Sequence, residues 1–136
     1  MPDLTFFVHG IPAPQGSKRH VGNGRMIESS KKVGPWRDAV IEAVARGEFN
    51  DFKLVNEALA ISIMFSLPAP RTVKRLYPTV RPDLDKLLRS TFDALTISGF
   101  WHDDSLVVSV LAAKRYAAAG EPLGALIEVS THDLHN

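Results

Sequence analysis

The segment Arg81-Pro82-Asp83-Leu84-Asp85-Lys86-Leu87-Leu88-Arg89-Ser90-Thr91-Phe92-Asp93-Ala94-Leu95 carries the clearest periodicity in the chain. Leu84, Leu87, Leu88, Thr91, Phe92 and Leu95 recur at helical spacing and make one apolar face. Pro82 biases the residue before it away from helix, and Asp83 is a preferred N-cap, so the spacing predicts a helix from Leu84 to Leu95. Gly99 is the expected stop. Upstream, Ala58–Ser66 alternates as a strand, with Leu59, Ile61, Ile63 and Phe65 on one face. Downstream, Leu106–Leu111 and Leu126–Thr131 read as two further strands, with a turn near Ala119–Gly124. Leu4–His9 reads as a first strand. Pro35 opens a first helix that places Trp36, Ala39, Val40, Ala43 and Val44 on one face up to about Gly47. The order β-α-β-α-β-β predicts an α+β (α/β) fold: one domain over residues 1–136, a mixed sheet with two packed helices. Two long excursions remain. Gly10–Gly34 has room for a short hairpin around Gly22–Met26, and Leu67–Arg81 contains Pro68, Pro70 and Pro78. Irregular segments of that length in a compact domain are usually functional or mobile.

Composition narrows the function classes. The chain of 136 residues is 45% hydrophobic and 23% charged, ordinary for a globular domain. No apolar run approaches the roughly 20 residues needed to span a bilayer, so no membrane role is expected. The start, Met1–Gly10, lacks a basic region followed by a long apolar stretch, and there are no cysteines. Disulfides, cysteine-based metal sites and thiol nucleophiles are excluded, and a cytoplasmic location is expected.

The net charge of +1 hides an uneven arrangement. Residues 18–37 carry Lys18, Arg19, Arg25, Lys31, Lys32 and Arg37 against Glu28 alone, a net +5. Residues 71–89 carry Arg71, Lys74, Arg75, Arg81, Lys86 and Arg89 against Asp83 and Asp85, a net +4. Residues 38–57 come to −3. Basic loops on a rigid scaffold suit a phosphate backbone, whose neutralisation releases counterions, although a solvated basic loop is the bland alternative. Lys18, Arg19, Arg25, Arg71, Lys74, Arg75 and Arg81 are the candidate DNA contacts.

Within this basic setting lie two acidic pairs. Asp83 and Asp85 are two apart, and side chains at i and i+2 do not face each other on a regular helix. Both reach one cation only if Asp83 stands in the entering turn. Alternatively, Asp83 caps the helix and Asp85 pairs with Arg89. Asp103-Asp104 follows Gly99-Phe100-Trp101-His102. The nine residues from Thr96 to Asp104 are long enough, at up to roughly 30 Å extended, to return Asp104 beside the first pair. Clustered carboxylates suit a hard cation such as Mg²⁺ or Mn²⁺, and with flanking basic loops they suit metal-assisted phosphodiester hydrolysis. His102 reads first as a turn residue and second as a ligand or base. Phe100 and Trp101 either fill the core or stack on a base.

Residues 81–95 followed by Gly99-Phe100-Trp101-His102-Asp103-Asp104-Ser105-Leu106-Val107 resemble the RusA family of Holliday junction resolvases. That family carries Asp-x-Asp at the head of a helix, Phe/Leu-Asp-Ala-Leu further along it, and Gly-aromatic-x-x-Asp-Asp before the next strand. The resemblance extends more weakly to Lys18-Arg19 and Trp36–Val40. It implies a homodimeric, Mg²⁺-dependent endonuclease that cuts four-way junction DNA by symmetric paired nicks, in recombination and repair, with no small-molecule cofactor. Asp83, Asp85 and Asp104 match the family's metal-binding aspartates, and Asp103 matches a frequent acidic neighbour. Where the family commonly has a catalytic Lys, this chain has Arg89. Arg keeps the charge but not the compact ammonium, and Lys86 is close enough in sequence to substitute. A non-catalytic relative that only binds branched DNA is the alternative reading.

Overall fold

The computed structural model describes residues 3–16, 18–20, 26–28, 32–47 and 57–131. In chain order the elements are β1 (Leu4–His9), β2 (Lys18–His20), β3 (Met26–Glu28), α1 (Val33–Arg46), β4 (Leu59–Leu67), α2 (Leu84–Ile97), a single 3₁₀ turn (Asp104–Leu106), β5 (Val107–Tyr116) and β6 (Gly124–Thr131). The four long strands form one mixed sheet in the order β1-β6-β4-β5, while β2 and β3 pair as a separate antiparallel hairpin. β6 is antiparallel to both β1 and β4, and β4 is parallel to β5.

The alternation in β4 decides which face is covered. Leu59, Ile61, Ile63, Phe65 and Leu67 are buried, and β6 sets Val129, Ile127 and Ala125 opposite Ile61, Ile63 and Phe65. Trp36, Val40 and Val44 of α1 and Leu87, Ala94 and Leu95 of α2 complete that core. The helices are tied where they meet: the Trp36 indole N–H donates to Thr91 Oγ1 at 3.1 Å, and the Thr91 hydroxyl donates to the Leu87 carbonyl at 2.8 Å. Opposite β4, the register sets Gly124 between His9 and Ser66. Gly124 has φ +147°, and a Cβ there would lie 1.8 Å from the Val8 carbonyl oxygen, so only glycine permits this approach of β6 to β1.

Parallel strands need a crossover, and α2 supplies it between β4 and β5. The head of α2 therefore stands beyond the C-terminal end of β4, the side of a parallel pair on which ligand sites collect. Several boundaries differ from expectation. α1 begins two residues before Pro35, leaving the proline in the first turn, where its missing N–H has no cost. β5 runs five residues beyond Leu111, because Ala112–Tyr116 pair with Ile63–Leu67. Phe100 and Trp101 are buried, which resolves their two readings in favour of the core. Trp101 packs edge-on against Phe92 at 5.3 Å between centroids, and its N–H donates to Thr96 Oγ1 at 2.7 Å. No helix among the described residues is long and apolar enough to cross a membrane.

Candidate nucleic-acid and metal site

Asp83 occupies the N-cap position of α2 with extended backbone (φ −71°, ψ 140°), yet its carboxylate makes no capping hydrogen bond. It sits instead 3.8 Å from the Lys86 ammonium, on the surface. Asp85 follows in the first turn and is exposed. Its alternative role as an ion-pair partner of Arg89 is not adopted: among the described residues no such pair forms. Both carboxylates are thus presented to solvent at the head of the helix rather than consumed by local structure.

Two tertiary contacts position that head. The segment between β1 and β2 lies along α2: the Gln15 backbone N–H donates to the Lys86 carbonyl at 3.1 Å, and the Ser90 hydroxyl donates to the Ala13 carbonyl at 2.6 Å. From the other side, Lys114 of β5 donates to the carbonyls of Val80 (2.9 Å) and Pro82 (2.7 Å), which pins the backbone immediately before Asp83. A small groove of about 280 Å³ results, lined by Pro14, Gln15, Gly16, Arg81, Pro82, Asp83 and Lys86.

Asp103 and Asp104 lie elsewhere along the helix. With Gln15, Arg37, Asp93, Thr96 and Ile97 they line a second, polar groove of about 550 Å³. The nine residues after Leu95 were long enough to reach back to Asp83, but the chain spends them differently. Gly99 turns at φ +78°, and Phe100 and Trp101 are drawn into the core, so the Asp pair emerges beside the last turns of α2. No three Asp, Glu or His side chains among the described residues stand close enough together to hold a metal ion. The two grooves share Gln15, whose Oε1 is buried without a hydrogen-bond partner among the described residues. Asp103 is held below the ordinary carboxyl range, chiefly by the Ser105 hydroxyl and then by the backbone amides of Ser105 and Asp104.

Arg71, Lys74, Arg75 and Arg81 are all exposed on the segment leading into α2, as is Arg89 on the helix itself, while Lys86 is half-buried. Lys18 and Arg19 lie on strand β2, and Arg25 falls outside the described residues. His102 is exposed in the turn before Asp103. Sequence reasoning missed Gln15 and Lys114, and counted Arg37 only as part of a basic block. A glutamine in a Pro-Gln-Gly loop and a lysine late in a strand carry no signal of their own. All three acquire their place through tertiary packing.

The donor atoms offered by the two grooves are all oxygens: carboxylates of Asp83, Asp93, Asp103 and Asp104, with Asp85 adjoining, and the orphaned Gln15 carbonyl. That set fits a hard divalent cation and not a thiophilic one. A family model described as "Endodeoxyribonuclease RusA" matches residues 9–129. A protein of Escherichia coli named "Crossover junction endodeoxyribonuclease RusA" is 30% identical over 114 residues, 83% of this chain and 86% of that protein. A protein of enterobacteria phage 82 with the same designation is 30% identical over 111 residues, 81% of this chain and 83% of its own length.

Proposed function

The chain belongs to the RusA endodeoxyribonuclease family, and from that membership we propose that it resolves four-way DNA junctions by Mg²⁺-dependent, symmetric paired nicks made by a homodimer. The observation that carries the reading is the head of α2. Its Asp83 carboxylate makes no capping bond at an N-cap where it would ordinarily bond the backbone, its one partner among the described residues is the half-buried Lys86, and exposed cations lie on either side.

In this reading Asp83, Asp85 and Asp104 hold the cation, with Mn²⁺ able to replace Mg²⁺. When bound, such an ion would supply an activated water and offset charge on the leaving oxygen. The chain's own residues do the rest. Arg71, Lys74, Arg75 and Arg81, with Lys18, Arg19 and Arg25 from the first excursion, hold phosphates and register the strand. Arg89 or Lys86 stabilises the additional negative charge of the pentacovalent phosphorane in the transition state. Asp103, whose pKa the Ser105 hydroxyl lowers, adds negative potential beside Asp104. Asp104 lines a different groove from Asp83, so a cation shared by the two acidic pairs would need Asp104 to approach the helix head. Two chains related by a two-fold axis present two such sites to opposing strands.

A second reading has support of its own. Arg89 stands in place of the family's common lysine, and the acidic residues are not preassembled. Both suit a module that binds branched DNA without cutting it. A synthetic four-way junction incubated with and without Mg²⁺ separates the two. Resolution gives paired, symmetrically placed nicks only with the metal; retention of the junction without nicks at any metal concentration selects the binding module.

A further inference from the structure

Trp101 is buried and unavailable to stack on DNA, but the structure exposes a different aromatic on the loop that leads into the acidic helix head. Leu76 is 78% exposed and Tyr77 64% exposed, consecutive residues on the loop between β4 and α2. Val80, three residues on, is 46% exposed. Large apolar side chains held in water by a loose loop would need no explanation. This loop is held at several points. The Arg75 guanidinium donates to Tyr116 Oη at 3.1 Å, and Lys114 donates to the carbonyls of Val80 and Pro82. Within the loop, the Val73 and Thr79 amides donate to the carbonyls of Pro70 (3.1 Å) and Tyr77 (2.8 Å). Pro68, Pro70, Pro78 and Pro82 further restrict the backbone. β5 thus buttresses a stiff projection with an apolar tip.

The charge around that tip states what it faces. Arg71, Lys74 and Arg75 precede it and Arg81 follows, all exposed, with no acidic residue between Leu67 and Pro82. A protein surface with an apolar tip inside a purely cationic collar is complementary to a base framed by phosphates. Duplex ends and interiors keep their bases stacked. A branch point offers base steps that separate at lower cost, and a side chain inserted there exchanges base–base for base–aromatic contact. We propose that Leu76 and Tyr77 form a wedge that stacks on bases at the branch point and so gives the protein its preference for junctions over duplex. This rests on the junction-directed reading above and assigns to it the residues that recognise DNA shape, six and seven residues before Asp83.

The test uses the full chain in metal-free buffer, where no strand is cut. A four-way junction carries 2-aminopurine at the branch point, and a linear duplex of the same arms is the control. The wild-type protein is expected to bind the junction with a rise in 2-aminopurine fluorescence. Leu76→Ala/Tyr77→Ala is expected to bind the junction roughly ten- to a hundredfold more weakly and without the rise, while duplex affinity changes less than about twofold. Tyr77→Phe retains the ring and is expected to retain both signals. Because both side chains are exposed, thermal unfolding of the double variant should match wild type, which separates loss of contact from loss of fold. A double variant that keeps the fluorescence rise and the junction preference overturns the wedge. So does a double variant that sediments as a monomer where wild type is a dimer, since the tip would then be a contact between copies. A wild-type protein with no preference for junction over duplex overturns the functional reading itself, and the wedge with it.

Discussion

Asp83 shows how one side chain carries two readings until its surroundings are known. An aspartate after Pro82 is an expected cap, and a cap would have spent its oxygens on backbone amides. The backbone takes the capping conformation, but the carboxylate turns to Lys86 and solvent. Gln15 is the opposite case, a half-buried side chain whose Oε1 finds no hydrogen-bond partner among the described residues. A buried unpaired acceptor costs free energy that a straight apolar side chain of the same length does not. Gln15→Met is therefore expected to stabilise the metal-free protein by about 1 kcal/mol, read as a higher midpoint in urea, and to reduce DNA cleavage. A lower midpoint would mean that the amide is paired after all. Asp103 contributes to the pH dependence. Its pKa is depressed by Ser105, so the contribution of its charge to stability is complete above the ordinary carboxyl range and is lost as pH falls through the lowered value. Ser105→Ala should move the Asp103 titration upward toward that ordinary range in carboxyl-carbon NMR. An unchanged midpoint would show that the hydroxyl is not the cause.

The elements were legible to very different degrees. α2 could be read from its periodicity because its polar and apolar faces are cleanly divided, and it extends only two residues past the expected end. β5 was truncated in the reading because Ala112-Ala113-Lys114-Arg115 does not alternate. An edge strand whose pairing partner fixes its length need not declare it in sequence. The acidic pairs were found from residue type and the family pattern, yet their placement in two grooves depends on Phe100 and Trp101 entering the core, which no spacing rule forecasts. The packing of α1 on α2 depends on a chain of two hydrogen bonds through Thr91. Thr91→Val keeps shape but leaves the buried Trp36 N–H without an acceptor. It is expected to lower stability by about 1–3 kcal/mol in chemical denaturation. A loss below a few tenths would show that the indole has another partner.

For the molecule as a whole, a formal charge of +1 and a chain of 136 residues understate what it presents to DNA. Positive residues gather on the segment that leads into the acidic helix head, which Lys114 of β5 holds on one side and the segment between β1 and β2 holds on the other, through Ala13 with Ser90 and through Gln15 with Lys86. The scaffold therefore keeps the basic residues and the first acidic pair within one short stretch of sequence. The most direct test is cleavage of a synthetic four-way junction in Mg²⁺ by the wild-type chain, Asp83→Asn and Asp104→Asn, with junction binding measured alongside. The wild type should yield paired nicks, and each variant should bind the junction as well as or better than wild type while cutting is abolished. Either variant cutting at the wild-type rate would contradict the assignment of these aspartates to the reaction.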